Sequence, residues 1–303
     1  MSRAAFIAGD WGTSRLRLYL CDAGGHVLAR GEGEGASAPD CAERFAAAVA
    51  AWDKAHGALP AVLGGMVGST IGWREAPYLK CPARPAAIAG AALRFEAEGR
   101  AIAILPGLSC VGKTGAPDVM RGEETQILGA LRLCPPLTKG RHIFCLPGTH
   151  TKWVAVEDGT VTLFQTALSG ELFELLRRHS VLARDGSEVD AQSPAFALGL
   201  EFARRNAGAD LLHLLFSARS RVVTGEMAKT DAASYLSGLV LGKDVATALS
   251  LLDLKAPVQL ICTPALAALY ARALNAYDLD SAVIDGDRAA LAGLVHAHAE
   301  IFS

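Results

Sequence analysis

Near its start the chain reads Phe6-Ile-Ala-Gly-Asp-Trp-Gly-Thr-Ser-Arg-Leu-Arg-Leu-Tyr-Leu-Cys-Asp22, which predicts a strand, a tight polar turn and a second strand. The turn region combines glycines, hydroxyls, a carboxylate and two cations: Gly9, Gly12, Thr13, Ser14, Asp10, Arg15 and Arg17. Glycines let the backbone approach a ligand closely, and hydroxyl and N–H groups donate hydrogen bonds to phosphate oxygens. The carboxylate of Asp10 can hold a hydrated metal ion. The stretch therefore predicts a phosphate-binding hairpin; the alternative is an ordinary hairpin that needs Gly and Asp only for its turn.

A second copy of this pattern occurs at Phe144-Cys-Leu-Pro-Gly-Thr-His-Thr-Lys-Trp-Val-Ala-Val-Glu157, followed by an Asp158-Gly159 turn and a strand over 160–166. In this copy Lys152 matches Arg15. Its candidate phosphate-binding residues are Gly148, Thr149, His150, Thr151 and Lys152. The repeat predicts two related halves, 1–138 and 139–303, whose two turns hold the two ends of a nucleoside triphosphate.

The composition favours a protein with a large core and a small partner. The 303 residues suffice for one large domain or for two of about 150 residues, and the repeat favours two. Hydrophobic residues make up 51% of the chain, and the net charge of −2 provides no basic surface for nucleic acid or for an anionic membrane. The seven cysteines form no Cys-x-x-Cys pair, which argues against a disulfide framework or a structural zinc site.

The distribution of apolar residues favours a cytoplasmic protein. The first six residues run directly into the first predicted strand without the apolar stretch and cleavage site of a signal peptide. The most apolar later run, 235–252, is interrupted by Gly238, Gly242, Lys243 and Asp244, which predicts a buried helix and not a membrane span. The acidic run 31–35 is predicted to be a short loop that repels phosphate.

A glycine-rich segment, 64–78, follows a short buried strand at 61–63. Its backbone donors, hydroxyls and aromatic rings fit a small polar substrate, and the candidate substrate-binding residues are Gly65, Ser69, Trp73 and Tyr78. The alternative is a surface loop whose aromatic residues pack against the protein.

Residues Gly107-Leu-Ser-Cys-Val-Gly-Lys-Thr114 match the Walker A pattern literally. A loop of that kind needs a helix that begins at its Lys-Thr pair, because the helix N-terminus supplies aligned N–H groups. Here the following Gly115-Ala-Pro-Asp118 breaks any such helix, so we expect no phosphate site at this segment.

Several longer motifs resemble one family in order along the chain. They are Gly-Asp-Trp-Gly-Thr-Ser, Gly-Trp-x-x-x-Pro-Tyr with a following Cys-Pro, Met-Arg-Gly-Glu-Glu-Thr-Gln, Leu-Pro-Gly-Thr-His-Thr-Lys-Trp, Ser-Gly-Glu-Leu-Phe and Leu-Ser-Gly-Leu-x-x-Gly. They stand at 9–14, 72–78 with Cys81-Pro82, 120–126, 146–153, 169–173 and 236–242. In combination they resemble the 2-dehydro-3-deoxygalactonokinase family, within the superfamily of sugar kinases, actin and heat-shock chaperones.

This resemblance implies an α/β fold of two related ribonuclease H-like lobes, the actin-like sugar kinase fold, with a cleft between them. It implies ATP-dependent phosphorylation of the terminal (6-) hydroxyl of 2-dehydro-3-deoxy-D-galactonate in galactose and galactonate breakdown, with Mg²⁺ held through water by Asp10. It also implies nucleotide contacts at Gly238 and Gly242, although the Gly-rich turn of the family pattern is replaced here by Thr263-Pro264. The stereochemistry of the substrate and a homo-oligomeric state stay open.

The candidate base lies at the start of the helix predicted after Gly122. In the superfamily this helix presents the carboxylate that accepts the proton of the attacking group, which implies Glu123 or Glu124. Adjacent helical side chains diverge by about 100°, so we expect one of the two to be catalytic and the other structural. The guanidinium of Arg121 suits the carboxylate of a sugar acid, and Glu171 is a further candidate contact with the substrate. The alternatives are an exopolyphosphatase-like hydrolase, which uses water, and a non-catalytic ligand-binding protein of the same fold.

Overall fold

The computed structural model describes residues 3–184, 188–254 and 257–302 and divides the chain into two compact units. The first unit comprises Met1–Arg141, Val156–Leu163 and Gly286–Ser303. The second comprises His142–Ala155 and Phe164–Asp285.

The first unit is built around a six-stranded mixed sheet with the order β3-β2-β1-β4-β7-β6. These strands are β1 (Ala4–Trp11), β2 (Arg15–Asp22), β3 (Val27–Glu34), β4 (Ala61–Gly65), β6 (Leu93–Ala97) and β7 (Arg100–Ile104). The strands β1, β2 and β3 form an antiparallel meander, whereas β4 pairs in parallel with both β1 and β7. The predicted hairpin at 6–22 is therefore present.

Helices cover both faces of this sheet, which explains why its central strands are apolar almost throughout. On one face, Ile7, Leu18 and Leu63 pack with Phe45 of helix α1 (Cys41–His56). On the other face, Phe6, Ala8 and Tyr19 pack with Leu294 and Ala297 of helix α10 (Gly286–Phe302). The remaining helices of the unit are α2 (Pro85–Gly90) and α3 (Glu123–Leu133).

The Walker-like segment lies in a small three-stranded sheet with the order β5-β8-β9. Its strands are β5 (Tyr78–Lys80), β8 (Gly107–Val111) and β9 (Pro117–Met120). Strand β8 is antiparallel to β9. A tight turn joins the two strands, and in it Gly115 N–H donates to the carbonyl of Gly112. No helix begins at Lys113-Thr114, so the segment lacks the element that a Walker A loop requires.

A second sheet, most of it in the second unit, repeats the strand arrangement of the first, with the order β12-β11-β10-β13-β14. Its strands are β10 (Arg141–Leu146), β11 (Thr151–Glu157), β12 (Thr160–Ala167), β13 (Val258–Cys262) and β14 (Ser281–Asp285). Strand β13 pairs in parallel with both β10 and β14, as β4 does with β1 and β7. The helices of the second unit are α4 (Ser169–His179), α5 (Pro194–Arg205), α6 (Leu211–Leu215), α7 (Ser217–Val223), α8 (Ala232–Leu252) and α9 (Pro264–Asn275). The equivalent strand orders confirm two related α/β units.

The acidic run at 31–35 is mostly strand, and its prediction as a loop was wrong. Strand β3 continues to Glu34, with Glu32 paired in register opposite Arg17 and Gly33 opposite Leu16. A Cβ at Gly31 would lie 3.4 Å from the ring of Trp52. Successive residues of a strand point to opposite faces of the sheet. The alternation of glycine and glutamate thus places the glycines on the face that packs against the protein and the carboxylates on the opposite face.

The apolar run near residue 240 forms α8, the core helix of the second unit. The segment Lys229–Leu252 is the one helix in the described chain that is long and apolar enough to cross a membrane, and two thirds of its most apolar window, 67%, are buried inside the protein. Burial within the fold explains its apolar composition, as the sequence predicted.

Candidate active site

Five elements of the first unit end close together and form a candidate site. The carboxyl ends of β1 and β4 are neighbours, with Asp10 paired opposite Gly64. A Cβ at Gly64 would lie 2.9 Å from Thr125 Oγ1, which places the start of α3 against β4. The start of α10 joins them, since Gln126 Nε2 donates to the carbonyl of Gly286 at 3.3 Å. The first turn, before β2, completes the group.

Close contact between α3 and α10 fixes these two helix starts. A Cβ at Gly129 would lie 1.7 Å from the carbonyl oxygen of Ala289, and one at Gly293 would lie 1.9 Å from that of Thr125. Any larger side chain at either glycine would push the two backbones apart, because cores tolerate little added volume.

Asp10 belongs to a network of three charges. Arg17 Nη2 lies 3.1 Å from Asp10 Oδ2, and the same guanidinium forms an ion pair with Asp287 at the start of α10. Burial raises the pKa of Asp10, the nearby charge of Asp287 adds to this rise, and Arg17 opposes it. Asp287 was not among the predicted site residues; it lies in the first turn of α10.

The first turn is exposed and held by backbone contacts. Gly12 N–H donates to the carbonyl of Arg15 at 2.9 Å, and the carbonyl of Thr13 accepts the Ser37 hydroxyl at 2.8 Å. Thr13 and Ser14 are exposed. Arg15 pairs with Glu32 at 2.6 Å, so its charge is shared with a carboxylate of β3.

The two glutamates at the start of α3 differ sharply in exposure. Glu124 is fully buried; its Oε2 accepts Gly122 N–H at 2.7 Å, and its Oε1 accepts the Thr125 hydroxyl at 3.1 Å. Burial, and next the charge of Glu123, raise the pKa of Glu124 to about 8. Glu123 is only partly buried, and its Oε2 accepts Arg121 N–H at 3.0 Å. Gly122 has a φ of 107°, which favours glycine at this entry to the helix.

Arg121 is buried beside Tyr78. Its guanidinium carbon lies 4.3 Å from the centroid of the Tyr78 ring, and its Nη2 donates to the carbonyl of Ala76 at 2.8 Å. Its Nε and Nη1 are buried, and among the described residues neither has a hydrogen-bond partner. A buried guanidinium with unmet donors is costly, because desolvation is not offset by hydrogen bonds.

The glycine-rich segment at 64–78 is more tightly packed than the sequence indicated. The Trp73 ring lies 5.5 Å from that of Phe45 and 5.4 Å from that of Phe95 and packs against the core, and the residue as a whole is half-buried. The Ser69 hydroxyl donates to the carbonyl of Met66. A Cβ at Gly65, whose φ is 89°, would lie 2.7 Å from the carbonyl oxygen of Trp11.

The turn of the second unit lies against the start of α4. The His150 Nε2 and Glu171 Oε2 atoms are 2.6 Å apart, and Glu171 N–H donates to the carbonyl of Thr149 at 2.9 Å. A Cβ at Gly170 would lie 2.2 Å from the carbonyl oxygen of Gly148, whereas a Cβ at Gly148 would meet nothing within 4 Å. The outer side of Gly148 is thus open space.

Thr151 and Lys152 are buried instead of lining the exposed part of this turn. Lys152 Nζ donates to the Thr166 hydroxyl at 2.8 Å, and the residue is only 6% exposed. The match to the exposed Arg15 suggested that the ammonium of Lys152 faces solvent. It does not, because both faces of β11 are covered.

Beside the turn is a cavity of about 690 Å³, lined by Gly148, Thr149, Gly170, Glu171, Phe173, Glu174, Leu175, Arg178, His179 and Leu266.

The assignment of Gly238 and Gly242 to nucleotide contacts was wrong. A Cβ at Gly238 would lie 2.2 Å from the carbonyl oxygen of Phe196, and one at Gly242 would lie 2.6 Å from the Cβ of Ala203. Both glycines are buried where α8 crosses α5, so they allow two helices to approach closely and are closed to a ligand.

The two equivalent sheets define the class of protein as the actin-like fold of sugar kinases and related ATPases. An activator of 2-hydroxyisocaproyl-CoA dehydratase from Clostridium difficile, solved with bound ADPNP, shares this fold with a TM-score of 0.51 at 10% identity, covering 98% of this chain and 95% of that chain.

Closer similarities identify the family. A family model described as 2-keto-3-deoxy-galactonokinase matches residues 10–297. A Rhizobium meliloti (strain 1021) protein named as a 2-dehydro-3-deoxygalactonokinase is 39% identical over 305 residues, 97% of each chain, and the Escherichia coli (strain K12) 2-dehydro-3-deoxygalactonokinase is 34% identical over 294 residues, 96% of each. A crystal structure of a Sinorhizobium meliloti protein described as a 2-dehydro-3-deoxygalactonokinase has a TM-score of 0.91 at 37% identity, covering 98% of this chain and 99% of that one. The chain belongs to the 2-keto-3-deoxy-galactonokinase family.

Proposed function

We propose that this protein transfers the γ-phosphoryl group of ATP to the 6-hydroxyl of 2-dehydro-3-deoxy-D-galactonate, in galactose and galactonate catabolism in the cytoplasm. The observation that carries the proposal is the arrangement at the start of α3. Arg121 has a buried guanidinium with two unmet donors. Two residues later, Glu123 has a partly exposed carboxylate. A sugar acid offers a carboxylate to the first group and a hydroxyl to the second.

Arg121 is the proposed anchor for the substrate carboxylate. Planar guanidinium groups bind carboxylates through two parallel hydrogen bonds, which fixes orientation as well as position. Binding would satisfy donors that are unmet in the described chain. The ring of Tyr78, 43% exposed and stacked on this guanidinium, would face the sugar acid and hold the guanidinium plane. Because both nitrogens are buried, substrate binding requires a small displacement of the Tyr78 ring.

Glu123 is the proposed general base, and Glu124 the structural partner. With a pKa of about 8, Glu124 keeps its proton at neutral pH and accepts hydrogen bonds from Gly122 and Thr125. A protonated carboxyl cannot accept the proton of the sugar hydroxyl. Glu123 is the accessible carboxylate of the pair, and its hydrogen bond to Arg121 N–H keeps it at the start of the helix.

The groups around the first turn fit a hydrated magnesium ion. Magnesium usually retains several waters and takes one or two carboxylates together with substrate phosphates. Asp10 offers such a carboxylate at the end of β1, and no group of three or more metal-binding side chains occurs in residues 3–184, 188–254 and 257–302. When bound, the ion would offset the negative charge of the triphosphate. Arg17 and Asp287 hold the Asp10 carboxylate in place.

Each of the two turns, taken by itself, offers groups that fit a phosphate. Thr13 and Ser14 are exposed in the first unit, and open space beside Gly148 leaves room for a phosphate in the second. The cavity of about 690 Å³ beside the second turn has the size and mixed lining suited to a nucleoside. We place the nucleoside there in preference to the buried glycines of α8.

A panel assay tests this function. ADP release from ATP and Mg²⁺ is measured with each of several sugar acids, including the galactonate and gluconate derivatives, and without any acceptor. We expect release that depends on 2-dehydro-3-deoxy-D-galactonate. Release that is independent of any acceptor would instead support the exopolyphosphatase-like hydrolase, and ligand-induced stabilisation without turnover would support a binding protein. No comparison favours either alternative.

A further inference from the structure

A buried carboxylate lies behind the second hairpin turn. Asp244 of α8 is 8% exposed, and its two oxygens accept hydrogen bonds from Trp153 Nε1–H at 2.8 Å and from the Tyr270 hydroxyl at 3.1 Å. Burial raises the pKa of Asp244, while the hydrogen bonds that it accepts favour the ionised form. No cation lies among the groups that determine this pKa.

A chain of hydroxyls extends from this carboxylate towards the turn. The Thr151 Oγ1 and Tyr270 Oη atoms are 2.7 Å apart, and the Ser169 hydroxyl donates to Thr151 Oγ1 at 2.9 Å. The Tyr270 hydroxyl donates to Asp244 Oδ2. Each hydroxyl has one proton, so Thr151 then donates to Tyr270 and Ser169 donates to Thr151. Ser169 Oγ also lies 3.2 Å from Tyr270 Oη and forms a hydrogen bond that lowers the pKa of Asp244, so the three hydroxyls and the carboxyl group form one network.

The chain ends on the two residues that border the turn. Thr151 begins β11 directly after His150, and Ser169 begins α4, whose Glu171 N–H donates to the carbonyl of Thr149. Fixing these two residues fixes the backbone of 148–150 from both sides.

We propose that Asp244 is a positioning residue for nucleotide binding, because its hydrogen-bond chain holds the second turn in the conformation that binds phosphate. This rests on the proposed function of that turn. It adds to the proposed reaction a residue of α8 that lies behind the turn and holds it in place. The corresponding sequence signal was an isolated Lys-Asp pair inside an apolar helix.

The experiment compares Asp244→Asn and Tyr270→Phe with a control at the preceding residue. Asparagine keeps the volume of the aspartate, but its amide donates on one side, so the chain must reverse or break. Lys243 Nζ donates to the carbonyls of Ala207 and Ala209 at 2.6 and 2.7 Å, away from the hydroxyl chain. Lys243→Met removes a buried polar contact from the same helix without touching the hydroxyl chain. It therefore shows how a loss of folding stability alone affects nucleotide binding.

Binding of the non-hydrolysable analogue AMPPNP is measured by calorimetry, together with KM for ATP, KM for the sugar acid, kcat and Tm. We expect Asp244→Asn to weaken AMPPNP binding and to raise KM for ATP about tenfold, equivalent to the loss of one good hydrogen bond, with KM for the sugar acid unchanged. Tyr270→Phe should give a smaller effect, about threefold. The double variant should bind no worse than Asp244→Asn, because both changes interrupt one chain.

Lys243→Met should lower Tm without changing the affinity for AMPPNP. The proposal is overturned if Asp244→Asn and Tyr270→Phe lower Tm while both retain wild-type affinity for AMPPNP. If the wild-type protein binds AMPPNP but phosphorylates no sugar acid, the proposed function is refuted. The role of Asp244 is then still tested, because it depends only on the affinity of the variants for AMPPNP.

Discussion

Replacing Glu124 with glutamine should make the first unit less sensitive to pH. In the unfolded chain this carboxyl ionises near its ordinary pKa of 4.5, whereas in the fold its pKa is about 8. Between these values the folded protein holds a proton that the unfolded chain has lost, so the free energy of unfolding falls as pH rises. The loss is about 1.4 kcal/mol per pH unit, or about 3 kcal/mol by pH 7. Glutamine cannot ionise and avoids this loss.

The assay is urea unfolding followed by circular dichroism at pH 5, 6, 7 and 8. Glu124→Gln should gain stability relative to wild type as pH rises, whereas Glu123→Gln should keep most of the wild-type slope, because burial is the larger cause of the raised pKa of Glu124 and the charge of Glu123 the smaller. Parallel curves for Glu124→Gln and wild type from pH 5 to 8 would refute the reasoning. Glu124 would then be ionised in the fold and would return as a candidate base.

Three further predictions concern the site, and a fourth concerns the crossing of α8 and α5. Glu123→Gln should lower kcat by about 10² to 10⁴ with little change in KM, measured by steady-state ADP release, since proton acceptance matters mainly in the transition state. Arg121→Ala should raise KM for the sugar acid about tenfold to a hundredfold, and Arg121→Lys should recover only part of this loss in the same assay. Asp10→Ala should lower kcat at least about a hundredfold, whereas Lys113→Ala in the β8–β9 turn should leave kcat and KM for ATP unchanged. Gly238→Ala should cost about 1 to 3 kcal/mol in urea unfolding, because its Cβ would overlap the α5 backbone, yet the remaining folded protein should bind AMPPNP normally.

The fold was predictable because its signals are local and repeated. The hairpin at 6–22 and its copy at 144–157 alternate in apolar character and turn at Gly, Thr and Asp, which are strong short-range signals. The absence of a helix at Lys113 was also readable from Gly115 and Pro117. The loop predicted at 31–35 failed because glycine usually weakens strands, and here the packing of Trp52 overrode that tendency.

The site was harder to predict because its contacts join residues that are distant in sequence. The pair of Arg17 and Asp287 spans nearly the whole chain, and no local pattern indicates it. Gly238 and Gly242 matched a family motif, yet a small residue at a helix crossing gives the same sequence signal as a small residue at a ligand. Trp73 carries the same ambiguity, since aromatic residues in a glycine-rich segment serve either a ligand or the core.

The carbon atom that receives the phosphate distinguishes the proposed kinase reaction from any other. The protein is incubated with ATP, Mg²⁺ and 2-dehydro-3-deoxy-D-galactonate labelled with ¹³C, and the product is observed by NMR. We predict carbon–phosphorus coupling at C6 and one phosphorylated sugar acid for each ADP released. Phosphate at any other carbon, or ADP accompanied by inorganic phosphate and unchanged sugar acid, would contradict the account.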